Sequence, residues 1–185
     1  MPRITRTQQN PGRLPELLPG VCSAVNALLP VSILIVNYNG ARHLTACLTA
    51  LAEQTVPRHR FEVILVDNAS RDHSVTLIRE QFPWVRLVTL NRNIGFAEGN
   101  NIAARYAHGE TLVLLNNDTI PDPFWLEELL RAQQQPTDWV VSKLVFADDP
   151  RQINSAGLFL LRDGRGADLG FRMSDGGQFE KTQPV

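Results

Sequence analysis

The sequence shows no excess of charge of either sign. Its 18 Lys and Arg stand against 19 Asp and Glu, a formal net charge of −1. That balance offers no basic footprint for nucleic acid. Cysteine is scarce, with Cys22 and Cys47 the only two. Two thiols make neither a disulfide framework nor a zinc pattern, and they fit a reducing setting. No run of 18 apolar residues occurs, so the sequence holds no candidate for a helix across a bilayer. Histidine is rare too, and His43, His59, His73 and His108 are scattered and read as surface residues. P-loop, zinc-ligand and nucleophile-elbow patterns are missing, as are internal repeats and low-complexity tracts. Gly164-Arg165-Gly166 with Gly170 mimics a dinucleotide fingerprint. Its spacing is off by one residue, no helix pattern follows, and it lies far from the first strand, where such a loop belongs.

What is present is ordinary globular material. The chain has 185 residues, 43% hydrophobic and 20% charged, enough for one domain with an apolar core. Residues 1–29 read as a flexible leader, because proline and polar residues dominate positions 1–20. Arg3, Arg6 and Arg13 imitate a signal-peptide n-region, but Pro15, Glu16 and Pro19 interrupt the apolar run that should follow. The domain is expected over 30–185.

Strands and helices alternate along it. Val31 to Val36, VSILIV, is a β-branched run suited to a strand buried on both faces. Leu44, Cys47, Leu48 and Leu51 then fall at helical spacing, which makes Cys47 a buried, inert thiol. Phe61 to Val66 is a second strand. A helix with Val75, Ile78 and Phe82 on one face follows, capped by Ser70 or Asp72. Val85 to Leu90 is a third strand, Asn91 to Gly99 a polar loop, Asn100 to Ala107 a short helix and Thr111 to Leu115 a fourth strand. Pro121 and Pro123 open another helix bearing Phe124, Leu126, Leu129 and Leu130, and Val140 to Phe146 is a further strand. This alternation predicts an α/β fold with a mostly parallel, twisted sheet and flanking helices. After Asp148 the apolar runs shorten, and Ile153 to Leu161 with Gly170-Phe171 reads as a hairpin or an irregular loop.

Three strand ends carry polar clusters: Asn37-Tyr38-Asn39-Gly40, Asp67-Asn68-Ala69-Ser70 and Asn116-Asn117-Asp118-Thr119. The third strand feeds the Asn91 to Asn101 loop. Each cluster alone is also what a plain turn is made of. Together they gather at the carboxyl edge of the sheet, where open α/β folds bind ligands. Asp118 ends a wholly apolar strand. A carboxylate there suits a hard divalent cation shared with phosphate oxygens, although a turn Asp has the same appearance.

In order, VSILIVNYNG, LVDNASRD, NRNIGFAEGNN and LVLLNNDT resemble the successive motifs of family 2 glycosyltransferases, and of rhamnosyltransferase-like members in particular. The likeness covers roughly residues 31–130. It implies a GT-A fold and a nucleotide-diphospho-sugar donor. Tyr38 would line the base pocket, Asn39 would belong to the nucleotide site, and Asp67 and Asn68 would contact base and ribose. Many members carry a second Asp where this chain has Asn68, which leaves the nucleobase open. Asn93, Gly95 and Asn100 belong to the loop that approaches the nucleotide, where Gly95 and Gly99 permit close backbone approach. Asn116-Asn117-Asp118 stands at the family's Asp-x-Asp metal motif, with Asn117 on the nucleotide and Asp118 as contact to Mg2+ or Mn2+.

The same resemblance places the catalytic base beyond Val185, so a C-terminally incomplete donor-binding part is expected. Asp163, Asp168, Asp175 and Glu180 sit in a polar, glycine-rich stretch that favours solvation over the burial that tunes a base. The implied reaction is inverting sugar transfer to a saccharide or lipid-linked acceptor in cell-surface polysaccharide or glycolipid synthesis. Nucleic acid is not a partner. The implied setting is cytoplasmic, including the inner face of the membrane with peripheral association. A non-catalytic nucleotide-sugar-binding module is the competing reading.

Overall fold

The computed structural model describes residues 2–10, 31–133 and 139–180. Cys22, most of the expected leader and the chain end at Val185 lie outside them. The chain divides into two compact units: Leu18–Ala52 with Val56–Thr119, and Met1–Leu17 with Glu53–Thr55 and Ile120–Val185.

The first unit is the parallel α/β sheet. Strand β1 (Pro2–Asn10) belongs to the other unit, so the sheet starts with β2 (Val31–Asn37), whose seven residues are all buried. Helix α1 (Ala41–Ala52) follows, then β3 (Phe61–Asp67), α2 (Ser74–Gln81), β4 (Arg86–Thr89), α3 (Phe96–Arg105) and β5 (Thr111–Leu114). The order is β4-β3-β2-β5, and all pairings are parallel. The chain lays strands outward from β2 and then returns to its other side, so the order reverses between β2 and β5. Such a switch opens a crevice at the carboxyl ends.

Alternation along β2 sends Leu34 to one face and Ile33 and Ile35 to the other. Leu34 joins Ile64, Val66 and Ala103 in a buried cluster beneath α3. Gly99 is where that helix comes closest, because a Cβ there would lie 2.9 Å from Val36 Cγ1. In α1, Leu44, Cys47, Leu48 and Leu51 are buried, as the helical spacing predicts. Asp72 ties two helix starts together: Oδ2 accepts from Ala41 N and Oδ1 from Ser74 N, both at 3.0 Å.

Two expectations need correction here. Helix α3 begins at Phe96, four residues earlier than the pattern suggests, because Gly95 at φ 89° provides its entry and Phe96 is an exposed aromatic that periodicity cannot place. Gly99 meets Val36 rather than the loop's ligand side. Along β5, Leu112 and Leu114 are exposed and Val113 is buried, so that strand is covered on one face.

In the second unit, β6 (Ile120–Pro121), β1, β7 (Trp139–Phe146) and β8 (Ile153–Ser155) form a sheet in the order β6-β1-β7-β8. β7 pairs antiparallel with β1 and β8, so it is not a further strand of the parallel sheet. Its alternating burial fits an antiparallel strand covered on one face. Pro2–Asn10, read as part of a flexible leader, is the strand β1, which pairs along the whole of β7. Composition misses this because a long-range partner, not an apolar run, orders the segment.

Helix α4 (Trp125–Ala132) starts after the two prolines and buries Trp125, Leu126 and Leu129, leaving Phe124 exposed. A small hairpin of β9 (Leu158–Leu160) and β10 (Gly166–Asp168) follows. Asp175, expected to be solvated, is instead paired at 2.6 Å with Lys143, whose side chain is 2% exposed. Glu180 stands 3.3 Å from the same ammonium. Burial raises the Asp175 carboxyl, but the Lys143 hydrogen bond, the Gly177 N–H and the Lys143 charge together hold it below the usual range. Composition missed the pairing because Lys143 lies 32 residues away.

Candidate functional site

The polar strand ends do converge. β2 and β3 run in register to their last residues, which sets Asn37 beside Asp67. Asn37 is fully buried, and its Nδ2 donates to Asp67 Oδ1 at 2.9 Å and to Ser70 Oγ at 3.2 Å. Ser70 completes a turn around the carboxylate, with Oγ donating to Oδ1 at 2.6 Å and N to Oδ2 at 2.9 Å. From the far side of β2, Asn117 Nδ2 donates to Asn37 Oδ1 at 2.6 Å. A continuous polar chain thus runs from the end of β3, under β2, to the turn after β5.

Asn68 points elsewhere. Its Oδ1 accepts from Ile94 N at 2.9 Å, and its Nδ2 donates to Asn93 Oδ1 at 3.0 Å and to Gly95 O at 3.1 Å. One side chain therefore pins the loop between β4 and α3 to the end of β3. Asn39, at φ 52°, accepts from Arg71 N through Oδ1, while its own N donates to Ser70 Oγ.

Above these residues lies an open cavity of about 450 Å³. Val36, Tyr38 and Asn68 line one part, and Asn93, Gly95 and Phe96 another. Asn116, Asn117 and Asp118 supply the rest. Of the residues singled out from sequence, the fold brings Tyr38, Asn68, Asn93, Gly95, Asn117 and Asp118 together there. Asn39 is exposed but is not a lining residue. Asp67 is 2% exposed, with its carboxylate turned to Asn37 and Ser70. Asn100 is buried and donates to Phe96 O within α3. Sequence reasoning missed Phe96, an exposed ring at the cavity. Its signal was an aromatic residue directly after the loop glycine.

Electrostatically the cavity has one charged residue among its lining, Asp118. No hydrogen bond or ion pair engages that carboxylate among the described residues. Its negative charge reaches Cys47 below: burial first, and then Asp118, push the thiol up to about 12. The Cys47 S–H is directed at Asn116 O, 3.9 Å away. Among the described residues no group of three or more His, Cys, Asp or Glu could cage a metal. One unpaired carboxylate fits Mg2+ or Mn2+ in the way such ions bind with nucleotides, with phosphate and water oxygens filling the shell.

This arrangement has counterparts in known proteins. Residues 32–174 match the family described as Glycosyl transferase family 2. The O-antigen biosynthesis protein RfbC of Myxococcus xanthus is 37% identical over 122 residues, 64% of this chain and 10% of that protein. The mannosyltransferase PcManGT from Pyrobaculum calidifontis, solved with GDP-Man and Mn2+, superposes with a TM-score of 0.53 at 30% identity, covering 58% of this chain and 33% of that one. Staphylococcus aureus TarS 1-349, solved with UDP, gives a TM-score of 0.52 at 25% identity over 56% of this chain and 31% of that one. The chain spans about a third or less of the length of each. With the parallel sheet, the crevice at its switch point and the ordered polar strand ends, the chain belongs to glycosyl transferase family 2.

Proposed function

We propose that the cavity binds the nucleotide diphosphate of an activated sugar, and that the whole protein transfers that sugar to an acceptor hydroxyl with inversion. The observation that carries this reading is the Asp118 carboxylate, unpaired among the described residues, lining a cavity at the carboxyl ends of β2, β3 and β5. Tyr38 and Phe96 offer flat faces to a base, while Asn68 and Asn93 hold the wall of the pocket. Asp118, with Mg2+ or Mn2+ when the donor is bound, holds the diphosphate. The cation supplies charge neutralisation for the leaving group. A carboxylate outside these residues takes the acceptor's proton.

The name of one relative, an O-antigen biosynthesis protein, supports cell-surface polymer synthesis, for which we take a saccharide or lipid-linked acceptor. UDP in one neighbour and GDP-Man in another support a nucleoside diphosphate without choosing the base. Within the family, the four motifs favour a rhamnosyltransferase-like member, in a cytoplasmic setting that includes the inner face of the membrane. No helix among the described residues is long and apolar enough to cross one.

One observation favours a second reading, a module that binds nucleotide sugar without transferring it: Asp118 is the only carboxylate among the lining residues. Calorimetric titration of UDP, GDP and dTDP, each with MnCl2 or with EDTA, tests the donor site. Metal-dependent diphosphate binding that is lost in Asp118→Asn is expected, with nucleoside binding kept. Equal diphosphate affinity in EDTA would remove the metal role. Acceptor-dependent transfer separates the two readings.

A further inference from the structure

The polar chain beneath the cavity has a direction, and chemistry sets it. A carboxylate only accepts hydrogen bonds, whereas an amide has one accepting and one donating end. Asp67 Oδ1 therefore demands the NH2 of Asn37, at 2.9 Å. Turning that amide over would set its oxygen against the carboxylate and lose the bond to Ser70 Oγ. With Nδ2 committed, Asn37 Oδ1 faces Asn117, where only an NH2 can meet it at 2.6 Å. The Asn117 amide is thereby fixed in turn. Its nitrogen points inward, and its Oδ1 meets no donor among the described residues. Gly40 closes the back of this arrangement, because a Cβ there would lie 2.2 Å from Asn117 Nδ2 and 2.4 Å from Asn37 Oδ1.

We propose that Asn37 is a positioning residue that passes the acceptor polarity of Asp67 on to Asn117. Asn117 then presents an amide oxygen, not an NH2, to the cavity beside Asp118. This inference rests on the donor-binding reading above. Two neighbouring oxygens suit a hard divalent cation bridging a diphosphate, whereas an NH2 in the same place would turn hydrogens toward it. Asp67 thus bears on the cation side of the site although it is sealed from the cavity. Partners of this kind behind a metal ligand commonly shift metal affinity by about 10–100-fold when altered.

The experiment compares the wild type with Asp67→Asn and Asn117→Ala. UDP and GDP are titrated with MnCl2 or EDTA, and uridine and guanosine with EDTA alone. Asp67→Asn removes the acceptor-only end at constant shape, so the amide chain can run either way. The gain in diphosphate affinity from Mn2+ is expected to fall about tenfold in both variants. In Asp67→Asn, affinities in EDTA should stay as in the wild type, a split that general loosening of the fold would not produce. Side-chain amide NMR of the wild type gives a second readout that needs no variant. The Asn117 NH2 should be protected from solvent exchange and keep its shift when MgCl2 and nucleotide are added. A freely exchanging Asn117 NH2 overturns the proposal. So does a full Mn2+ gain in both variants, which leaves the donor reading standing. Loss of nucleoside affinity in Asp67→Asn would show direct contact instead, and also overturns it. A wild type with no Mn2+ gain at all removes the donor reading itself.

Discussion

Asn117 Nδ2 donates to Asn37 Oδ1 across 2.6 Å, joining two residues 80 positions apart in the chain. The bond locks the turn after β5 to the end of β2. It also sets Asp118, next in sequence, at the cavity.

Gly40 guards that contact. A methyl group there meets Asn117 Nδ2 and Asn37 Oδ1 far inside van der Waals distance. Gly40→Ala is expected to lower stability by about 1–3 kcal/mol, the usual cost of overpacking. It should also weaken nucleotide binding. Gly166→Ala, with open space around it, is the control. Matched urea midpoints for the two variants would refute the steric argument.

Asn68 acts on a loop instead. Its amide makes three hydrogen bonds, to Ile94, Asn93 and Gly95, and it is 2% exposed. Asn68→Ala leaves those loop groups without their partner, at a cost of about 1–3 kcal/mol. Faster amide exchange at Ile94, with the β2 and β3 amides unchanged, is the expected signature. Uniform protection along the loop would show that Asn68 does not hold it.

Cys47 makes stability sensitive to alkali. Its ordinary value of 9.0 is pushed up to about 12 by burial and by Asp118. A raised folded value contributes stability that is whole below the unfolded value and is lost as pH rises toward the folded one. The loss should run at roughly 1.4 kcal/mol per pH unit above about 9. Cys47→Ala should flatten that slope in urea titrations at pH 8 to about 11. In a Cys22→Ser background, the native chain should resist thiol reagents until it unfolds. Rapid labelling under native conditions would contradict the burial.

Asp175 works at the acid end. Its carboxyl is held below the usual range by Lys143 and the Gly177 N–H, against the opposing effect of burial. A depressed folded value contributes stability above the unfolded value, lost as pH falls through the folded one. Asp175→Ala should therefore destabilise at pH 7 by up to about 3 kcal/mol, with Glu180 retaining part of the pairing. The wild-type excess should shrink below about pH 4. An unchanged gap between the two at acid pH would rule out the ion pair as its source.

Much of the parallel sheet was legible because β2, β3 and α1 carry unbroken local patterns: a β-branched run, a second apolar run and four helix-spaced apolar residues. The second unit was not. β1 has no apolar run, and β7 reads like any other strand. Pairing with the distant β7 orders β1, and β7 runs antiparallel to both β1 and β8. The start of α3 was misplaced for a smaller reason. Its entry depends on the backbone of Gly95 at φ 89°, which no side-chain period reports.

By itself the sequence determined that polar residues end the central strands and that a carboxylate follows β5. Apolar runs and their polar interruptions are local properties of the chain. Which of those residues face the cavity was decided by the tertiary structure alone. Asp67 and Asn68 are neighbours of equal burial, yet one carboxylate turns inward to Asn37 and one amide reaches across to the loop at Asn93. Their partners stand 30 and 25 residues away. A side chain's hydrogen-bond direction follows whichever donor or acceptor the fold brings beside it, and strand pairing supplies that neighbour only once the sheet has formed.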